Sequence, residues 1–565
     1  MTPPTNLTIA ELLSQYANAL AVNGADRFKV QAYRGAAGTI EALSDSAAQL
    51  ITEGHDLTHL PGIGKGLSAV IREIVDTGRL SLLDRATEGL LPELREIATH
   101  PALNAQDVRR IYRRLKINDL AALARALKDG RIADEFGARM DFQIRRGLDD
   151  RPRMLLYDAA PIAERIDERL RAIPEVLRVQ AVGSLRRRED TVGDLNFLVA
   201  SDRAAALYQA VSTLFGTELT VGRDRRQRSL RLSAGAVVTI HWTPLAEWGL
   251  SLLLATGSVD HLKSLSSGTS QRSLKLNRSS LTKHGVDIAE EAPIYAALGL
   301  SPIAPELREG RGEVEAAERG ELPALITGDD IRGDLHMHTT ASDGRNTLAE
   351  MVEAARARGY EYMAVTDHSQ SLKITNGLTE NRLLQQIRSI DRLNARLRGF
   401  RVLKSSEVDI LENGRLDFPD DVLKELELTI CSIHSKFRLS KEQQTERIMR
   451  AMDNPHFQIL GHATGRLLLK RPGYELDFER ILKHARDAGC FFEINSSPDR
   501  LDLSDEHARM AKELGVKIAV NTDAHSTREL DYLSAGIQQA RRAWLTKDDV
   551  LNARPLGALK KLLKR

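Results

Sequence analysis

The sequence predicts a multidomain protein with a helical amino-terminal part, an α+β middle part and an α/β carboxy-terminal part. The chain has 565 residues, which suggests about four domains at roughly 150 residues each. Apolar residues recur at helical spacing through residues 9–20 and 67–74, and a strand pattern begins near residue 176. Beyond residue 332, short apolar runs alternate with helix-period segments, which is typical of a parallel barrel or a wound sheet.

The composition is that of a soluble globular protein. Charged residues make up 28% and hydrophobic residues 42% of the chain, and the formal net charge is only +2. Composition alone therefore does not indicate a nucleic-acid partner. Cys431 and Cys490 lie in apolar strand-like runs, so we expect buried free thiols in a reducing cytoplasm. No apolar run approaches the roughly 18 residues that span a bilayer, and no signal-peptide pattern precedes Asn6, so we expect a cytoplasmic protein.

In the helical part, a glycine-rich turn leads directly into a helix. Residues 60–66 read LPGIGKG. Glycine permits the tight turn and a close backbone approach, and free N–H groups at a helix start attract phosphate. Gly62, Gly64, Lys65 and Gly66 are therefore candidates for binding a DNA backbone. An ordinary glycine turn between two helices is the alternative.

Two further groups of cations are candidates for phosphate contacts. One lies in a helical segment and the other in the loop 223–228, and solvated surface is an equally good interpretation of both. The helical group consists of Arg109, Arg110, Arg113, Arg114 and Lys116.

The middle part contains a candidate nucleotidyltransferase site. A Gly183-Ser184 turn opens a helix, and Asp194 stands at the start of the following strand. Carboxylates at alternating strand positions share one face and can jointly hold Mg²⁺ for phosphoryl transfer. The alternating position after Asp194 is Asn196, which brings no negative charge.

Apolar runs in the last part of the chain end in side chains that can bind metal. Residues 334–344 read DLHMHTTASDG and place His336 and His338 on one side of an extended strand end. Imidazoles with a carboxylate suit a divalent transition metal such as Zn or Mn. Alone, the H-x-H pattern is a weak signal that favours two surface histidines on a strand. Seven such runs, however, are each followed by a candidate ligand or a polar neighbour of one, and parallel barrels gather their sites at the carboxyl ends of the strands. Core histidines bonded to backbone carbonyls would explain only one or two of them.

The last part of the chain resembles a PHP (polymerase and histidinol phosphatase) domain. The motifs that carry the resemblance are DLHMHTTASDG, AVTDHS, SSEVDI, CSIHS, GHATGRLL, EINSSPDRLDL and NTDAHS. The resemblance covers about residues 332–565 and implies a distorted (β/α)7 barrel with up to three Mn or Zn ions. It implies that Glu407 is catalytic and bridges two metals. His336, His338 and Asp523 would complete one site with Glu407, and His434 and His462 would complete the next. Asp343, His368 and His525 would hold the third metal.

The rest of the chain resembles a bacterial family X DNA polymerase that precedes such a PHP domain. This resemblance implies a polymerase beta-like arrangement with a helical DNA-binding domain, fingers, a nucleotidyltransferase palm and a thumb. The implied boundaries are 1–92 for the 8-kDa-like helix-hairpin-helix domain, 93–150 for the fingers-like helices, 151–255 for the palm, 256–310 for the thumb, 311–331 for a linker and 332–565 for the barrel.

The sequence departs from that family at several functional positions. Val70 stands where many members carry a Schiff-base lysine, so we expect no lyase activity by that route. Residues 100–106 lack the glycines of a second hairpin, and residues 254–258 read LATGS where the family has an aromatic pair.

In the palm, the resemblance implies that Gly183, Ser184 and Arg187 bind a triphosphate and that three aspartates hold two metals. Only Asp194 is present as the catalytic carboxylate, because Asn196 and Thr239 occupy the other two positions. An amide and a hydroxyl compensate two divalent ions poorly.

The leading hypothesis is a DNA repair enzyme with a metal-dependent 3′→5′ exonuclease in the barrel. A degenerate polymerase core would bring it to gaps or 3′ ends, with synthesis absent, weak or dependent on Mn²⁺. Mg²⁺ or Mn²⁺ would bind weakly at the palm, and a deoxynucleoside triphosphate is a candidate ligand there. Arg466 and Arg500 are candidate phosphate contacts of the exonuclease. We expect a monomer at the nucleoid in the cytoplasm, with no membrane partner.

Three rival functions stay open. The first is gap filling by the palm as the main activity, the second is a small-molecule phosphatase, and the third is a DNA-binding scaffold without catalysis.

Overall fold

The computed structural model describes most of the chain. The described residues are 4, 6–23, 25–41, 46–60, 62–88, 105–117, 119–137, 140–141, 144–145, 153–215, 219–221, 226–231, 237–271 and 274–564. Residues 100–104, in the segment without hairpin glycines, and residues 223–225 of the cationic loop lie outside these ranges.

The amino-terminal part is helical, as predicted. Ile9, Leu13 and Ile71 are fully buried in its first core, and Val70 packs beside them as an apolar side chain. Val108, Leu123 and neighbouring side chains form a second, separate core. The helices are Asn6–Val22, Arg27–Glu41, Ala47–Thr52, Lys65–Thr77, Ser81–Glu88, Ala105–Leu115, Leu120–Lys128 and Arg131–Phe136.

The middle part is an α+β palm. Its described strands are β1 (Met154–Leu155), β2 (Arg178–Val182), β3 (Thr191–Val192), β4 (Leu195–Ala200), β5 (Thr220–Val221), β6 (Gln227–Arg231) and β7 (Val237–Thr243). Five of them form a sheet in the order β2-β4-β7-β6-β5, in which β4 and β7 are parallel. Helices Leu156–Arg171 and Ala204–Phe215 bury apolar side chains against this sheet, and the short helix Gly183–Arg186 follows β2.

Helix Trp248–Thr256 spans the predicted boundary between palm and thumb, and the predicted thumb continues with helices Val259–Gln271, Arg278–Lys283 and Glu291–Ala297. The segment 311–331, which was predicted to be a linker, contains a further helix, Glu313–Arg319. Val314 and Ala317 of this helix pack into the thumb core, and the buried Glu313 carboxylate lies 2.6 Å from Nδ1 of His261. Its apolar residues three apart fall on one helix face, so the segment is packed structure. The exact domain boundaries stay a prediction.

The carboxy-terminal part is a parallel barrel, and the predicted fold class is confirmed. Its strands are β8 (Gly333–Asp334), β9 (Tyr362–Val365), β10 (Arg401–Asp409), β11 (Leu428–Ser432), β12 (Ile459–Leu460), β13 (Phe491–Asn495) and β14 (Ile518–Asn521). They pair in sequence order, and a parallel bridge between Met337 and Ala524 brings the first and last strands together. The α-helices around them are Leu348–Ala357, Glu380–Asn394, Asp420–Leu423, Lys441–Met452, Phe478–Ala488, Asp505–Glu513, Leu533–Arg542 and Leu556–Leu563.

The two cysteines are in the state that the sequence predicts. Cys431 and Cys490 are buried free thiols. None of the described helices is long and apolar enough to cross a membrane.

An ion cluster joins palm, thumb and barrel. Arg542, at the end of a barrel helix, donates to Glu309 at 2.8 Å, to Asp505 at 2.8 Å and to the backbone oxygen of Arg187 at 2.9 Å. Arg311 donates to the same Asp505 carboxylate at 2.9 Å. The Arg542 side chain is only 6% exposed, so its charge is shielded little by water. These contacts fix the barrel against the polymerase-like half.

We predict that Arg542→Ala destabilises this junction by about 3–5 kcal/mol, because it leaves the Glu309 and Asp505 carboxylates buried with less compensation. Urea unfolding followed by tryptophan fluorescence measures the effect. Arg486→Ala is the matched control, since the Arg486–Asp487 pair is half exposed and should contribute less than about 1 kcal/mol. Equal midpoints for the two variants would contradict the prediction.

Candidate functional site

The carboxyl ends of the barrel strands bring the predicted metal ligands together. The strands are parallel and each ligand lies at or just after the carboxyl end of its strand, so the ligand side chains meet at one mouth of the barrel. His336, His338 and Asp343 follow β8, His368 follows β9, Glu407 lies in β10, His434 follows β11, His462 follows β12, and Asp523 and His525 follow β14.

Glu407 is the centre of this group. Its carboxylate is 1% exposed and lies within 4 Å of five imidazoles. A carboxylate at this depth would be strongly unfavourable without such partners. The distances to Glu407 are 2.8 Å from His368 Nδ1, 2.9 Å from His462 Nε2, 3.3 Å from His434 Nε2, 3.5 Å from His336 Nε2 and 3.6 Å from His338 Nε2.

Two further carboxylates extend the group. Asp523 Oδ1 lies 3.0 Å from His338 Nε2 and 3.4 Å from His336 Nε2. Asp343 Oδ2 lies 3.4 Å from His525 Nε2 and 3.5 Å from His368 Nε2. All nine predicted ligands therefore lie in one continuous cluster.

Charge is strongly organised in this cluster. Burial opposes ionisation of Glu407 and Asp523, but the neighbouring imidazoles outweigh it and hold both pKa values well below the usual range. Burial lowers the pKa of His336, but the carboxylates of Glu493, Asp523 and Glu407 outweigh this and raise it well above its ordinary value. The carboxylates are therefore ionised at neutral pH, and a divalent cation could replace histidine protons as their partner.

The donor atoms fit divalent metal ions. Three sets of atoms could each hold an ion within ligand distance of one another. His336 Nε2, His338 Nδ1 and Glu407 Oε2 are buried and make no hydrogen bond of acceptable geometry in the described part of the chain, which suits atoms that coordinate a metal ion. The three sets are His336, His338 and Glu407; His368, Glu407 and His434; and His338, Asp343, His368 and His525.

This grouping differs in detail from the one that the family resemblance implied. His338 also joins the Asp343 set, and His368 also joins Glu407 and His434. His462 lies outside these sets but close to Glu407. The roles of individual ligands stay a prediction.

Two supporting carboxylates escaped the sequence analysis. Glu493 lies in β13, with Oε1 2.7 Å from His336 Nδ1 and Oε2 accepting the backbone N–H of His462 at 3.0 Å. Asp409 Oδ1 lies 3.0 Å from His434 Nδ1. Such partners orient a ligating imidazole and fix its tautomer. The period-two spacing from Glu407 to Asp409 and from Glu493 to Asn495 is the signal that could have identified them.

The palm site carries less negative charge than the family resemblance implies. Asn196 and Thr239 are neighbours on β4 and β7. The Asn196 amide oxygen lies 3.1 Å from His241 Nε2, and the Thr239 hydroxyl lies 3.0 Å from that of Ser229. The partners of Asn196 and Thr239 are thus an imidazole and a hydroxyl. Asp194 is the sole carboxylate at the three positions where the resemblance implies aspartates.

Arg187, predicted to bind a triphosphate, is occupied by protein groups. Its guanidinium donates to Glu309 at 3.0 Å, to the backbone oxygen of Thr256 at 2.8 Å and to Glu189. The side chain is 11% exposed. Ser184 lies in the short helix that Gly183 begins with a φ of +64°. A triphosphate would have to displace carboxylates to reach Arg187.

The glycine hairpin presents bare backbone to solvent. Gly62 has a φ of +77°, and a Cβ placed at Gly62, Gly64 or Gly66 would meet no atom within 4 Å. Gly64 caps helix Lys65–Thr77 without a side-chain hydrogen bond, which leaves its first N–H groups open to an anion.

The candidate phosphate contacts Arg466 and Arg500 have different surroundings. Arg466 lies 3.2 Å from Asp190 of the palm and donates to the backbone oxygen of Arg500 at 3.0 Å. Arg500 Nε lies 3.6 Å from Asp523 Oδ2, beside the metal ligands. Arg466 therefore has a contact between domains, and Arg500 faces the candidate centre.

Comparisons with known proteins agree with this division of the chain. Family models match for a helix-hairpin-helix domain at residues 4–80, a DNA polymerase beta thumb at 251–309 and a PHP domain at 334–497. The "DNA polymerase/3′-5′ exonuclease PolX" of Bacillus subtilis is 36% identical over 99% of both chains. A "probable phosphatase" of Thermoanaerobacter sp. is 33% identical over 41% of this chain and 94% of its own length. The chain thus belongs to the family X DNA polymerases that carry a carboxy-terminal PHP domain.

Proposed function

We propose that the protein is a metal-dependent 3′→5′ DNA exonuclease whose active centre is the mouth of the PHP barrel. The observation that carries this proposal is the convergence of five imidazoles on the buried carboxylate of Glu407. The relative named as both polymerase and 3′-5′ exonuclease, which this chain matches over almost its whole length, supports the same activity.

The proposed cofactors are up to three Mn or Zn ions held by the nine clustered ligands, with Glu407 bridging two of them. When bound, these cations would neutralise the scissile phosphodiester and promote attack by water. Glu493 and Asp409 hold the imidazoles of His336 and His434 in orientation. The two ionised carboxylates Glu407 and Asp523 keep the site attractive to cations at neutral pH.

The polymerase-like half is proposed to hold DNA. The open glycine hairpin would bind a phosphate through backbone N–H groups, and gaps or free 3′ ends are the proposed partners. Weak Mg²⁺ or Mn²⁺ binding at Asp194 would allow at most slow synthesis, because Arg187 is held by Glu309 and Glu189. A monomer acting at the nucleoid is the proposed form.

A phosphatase is the second candidate function. The relatives named as probable phosphatases match 41% and 39% of this chain, which is about the length of the barrel. Competition by DNA against a phosphomonoester substrate tests this alternative, since a small-molecule phosphatase would gain nothing from the hairpin and thumb.

We predict that Mn²⁺ lets the protein shorten the primer of a 5′-labelled gapped DNA, with and without nucleotides. His336→Ala should slow shortening by more than about 100-fold, the upper range for residues that only support a ligand. Asp194→Ala should leave it unchanged, because the palm is not part of the nuclease. Gel electrophoresis of the labelled primer measures both.

The opposite pattern would identify a polymerase. If the primer lengthens and Asp194→Ala stops it, gap filling is the main activity. If neither change in length occurs, the barrel is not a nuclease on this substrate.

We predict that Glu493→Gln weakens metal binding by about 10- to 100-fold, because it removes the charge that orients His336. Titration against a metal-binding dye measures the affinity. Glu479→Gln is the matched control, since this exposed glutamate (60%) lies on a barrel helix and should change nothing. Equal affinities would remove Glu493 from the metal site.

We predict that Lys65→Ala weakens binding to gapped DNA several-fold and lowers the salt dependence by about one released counterion. Fluorescence anisotropy over a range of salt concentrations measures both. Lys424→Ala is the control, because this exposed lysine precedes β11 at the amino end of the barrel, away from the mouth. An unchanged salt slope for Lys65→Ala would favour the ordinary glycine turn.

A further inference from the structure

A cavity of about 320 Å³ opens beside the metal-ligand cluster. Asp343, Asp523 and His525 of the cluster form part of its lining, and Arg345, Arg500 and Tyr532 lie along its other walls. Its volume is near the lower end of the range of about 300–1,000 Å³ for small-molecule sites, which suits one nucleotide unit.

The cavity combines two kinds of recognition. Arg500 Nε lies 3.6 Å from Asp523 Oδ2, and the backbone N–H of Arg345 donates to the backbone oxygen of His525 at 2.7 Å. Both arginines are therefore neighbours of metal-ligand residues. Guanidinium groups bind phosphate well. Tyr532 adds an aromatic ring, which is a surface on which any nucleobase can stack.

The palm supports two walls of this cavity. The ring of Tyr157, at the start of helix Leu156–Arg171, packs edge-to-face with Tyr532 at a centroid distance of 5.3 Å. Asp190 of the palm lies 3.2 Å from Arg466, which in turn donates to the backbone oxygen of Arg500. The backbone N–H of Leu156 donates to the backbone oxygen of Asp190 at 3.0 Å. Tyr157 and Asp190, which make the two contacts with the barrel, are therefore close together in the palm.

The exposure of Tyr157 argues for a ligand. An aromatic pair that only joins two domains gains most when both rings are buried. Tyr157 nevertheless remains 45% exposed while it packs against Tyr532, which lines the cavity. The pair therefore leaves ring surface available to a base.

We propose that palm and barrel together form a subsite for the 3′-terminal nucleotide of a DNA strand. The base stacks on the Tyr532–Tyr157 pair, and Arg500 and Arg345 hold the phosphate next to the metal ligands. This inference rests on the proposed nuclease function and adds that the palm completes its substrate site. Because stacking tolerates every base, the subsite accepts any unpaired 3′ end and admits one nucleotide at a time.

Two labelled single strands test the proposal on the full-length protein. They are identical except that one ends in a 3′ adenine nucleotide and the other in a 3′ abasic tetrahydrofuran unit. Tyr532→Ala should raise KM for the adenine end roughly five-fold or more, the effect of losing one base stack. It should leave KM for the abasic end unchanged, and Tyr532→Phe should behave as wild type on both.

Palm variants provide matched arms of the same experiment. Tyr157→Ala should act in the same direction as Tyr532→Ala and again only on the adenine end. Leu177→Ala removes a palm side chain of similar exposure, 47%, outside the cavity lining and should change neither KM. An effect of Tyr532→Ala that is equal on both strands would mean a structural role and would overturn the subsite.

A binding measurement separates this proposal from the nuclease itself. With metal chelated by EDTA, a strand with 3′-terminal 2-aminopurine should lose fluorescence on binding wild type and Tyr532→Phe, but not Tyr532→Ala. If wild type shortens no DNA but still quenches this fluorescence, the nuclease proposal fails and the subsite stands. If wild type shortens DNA while Tyr532→Ala quenches the 2-aminopurine fluorescence as much as wild type does, only the subsite proposal fails.

Discussion

The buried carboxylate of Glu407 is the constraint on which the barrel mouth depends. A negative charge at 1% exposure is stable only with close positive or polarised partners, and the ends of four strands together supply five imidazoles to it. Those imidazoles need fixed orientations, which Glu493 and Asp409 provide from the neighbouring strands. The bridge that brings β8 to β14 then becomes part of the site, because it places Asp523 against His336 and His338.

Buried charges also need close partners of opposite charge at the junction between the polymerase-like half and the barrel. Arg542, Arg311, Glu309 and Asp505 form ion pairs at a boundary between palm, thumb and barrel, and each charge there has an opposite partner. The palm also contacts the surroundings of the cavity beside the metal ligands, through Tyr157 against Tyr532 and Asp190 against Arg466. The polymerase-like half therefore supports the barrel mouth as well as carrying the hairpin.

Much of the barrel could be predicted from the sequence because its signals are local. All but one of the apolar runs end in or next to a ligand, so strand alternation alone places His336, His434 and Asp523 at one mouth. Glu493 was missed because its partner His336 is far away in the sequence and is reached only by barrel closure. The packed helix Glu313–Arg319 was missed because Pro, Glu and Gly composition does not reveal that Val314 and Ala317 face the thumb. The contact of Tyr157 with Tyr532 depends on how two domains meet, which no local pattern encodes.

Arg187 illustrates how a sequence motif can outlast its first use. Its contacts with Glu309, Glu189 and the Thr256 backbone, and the bond from Arg542 to its own carbonyl, give it a role in stability that needs no nucleotide. Selection on folding would then retain this arginine while Asn196 and Thr239 replace acidic residues nearby. In relatives with the same junction, conservation of the arginine is thus poor evidence for DNA synthesis, and the carboxylates at the positions of Asn196 and Thr239 are the better markers.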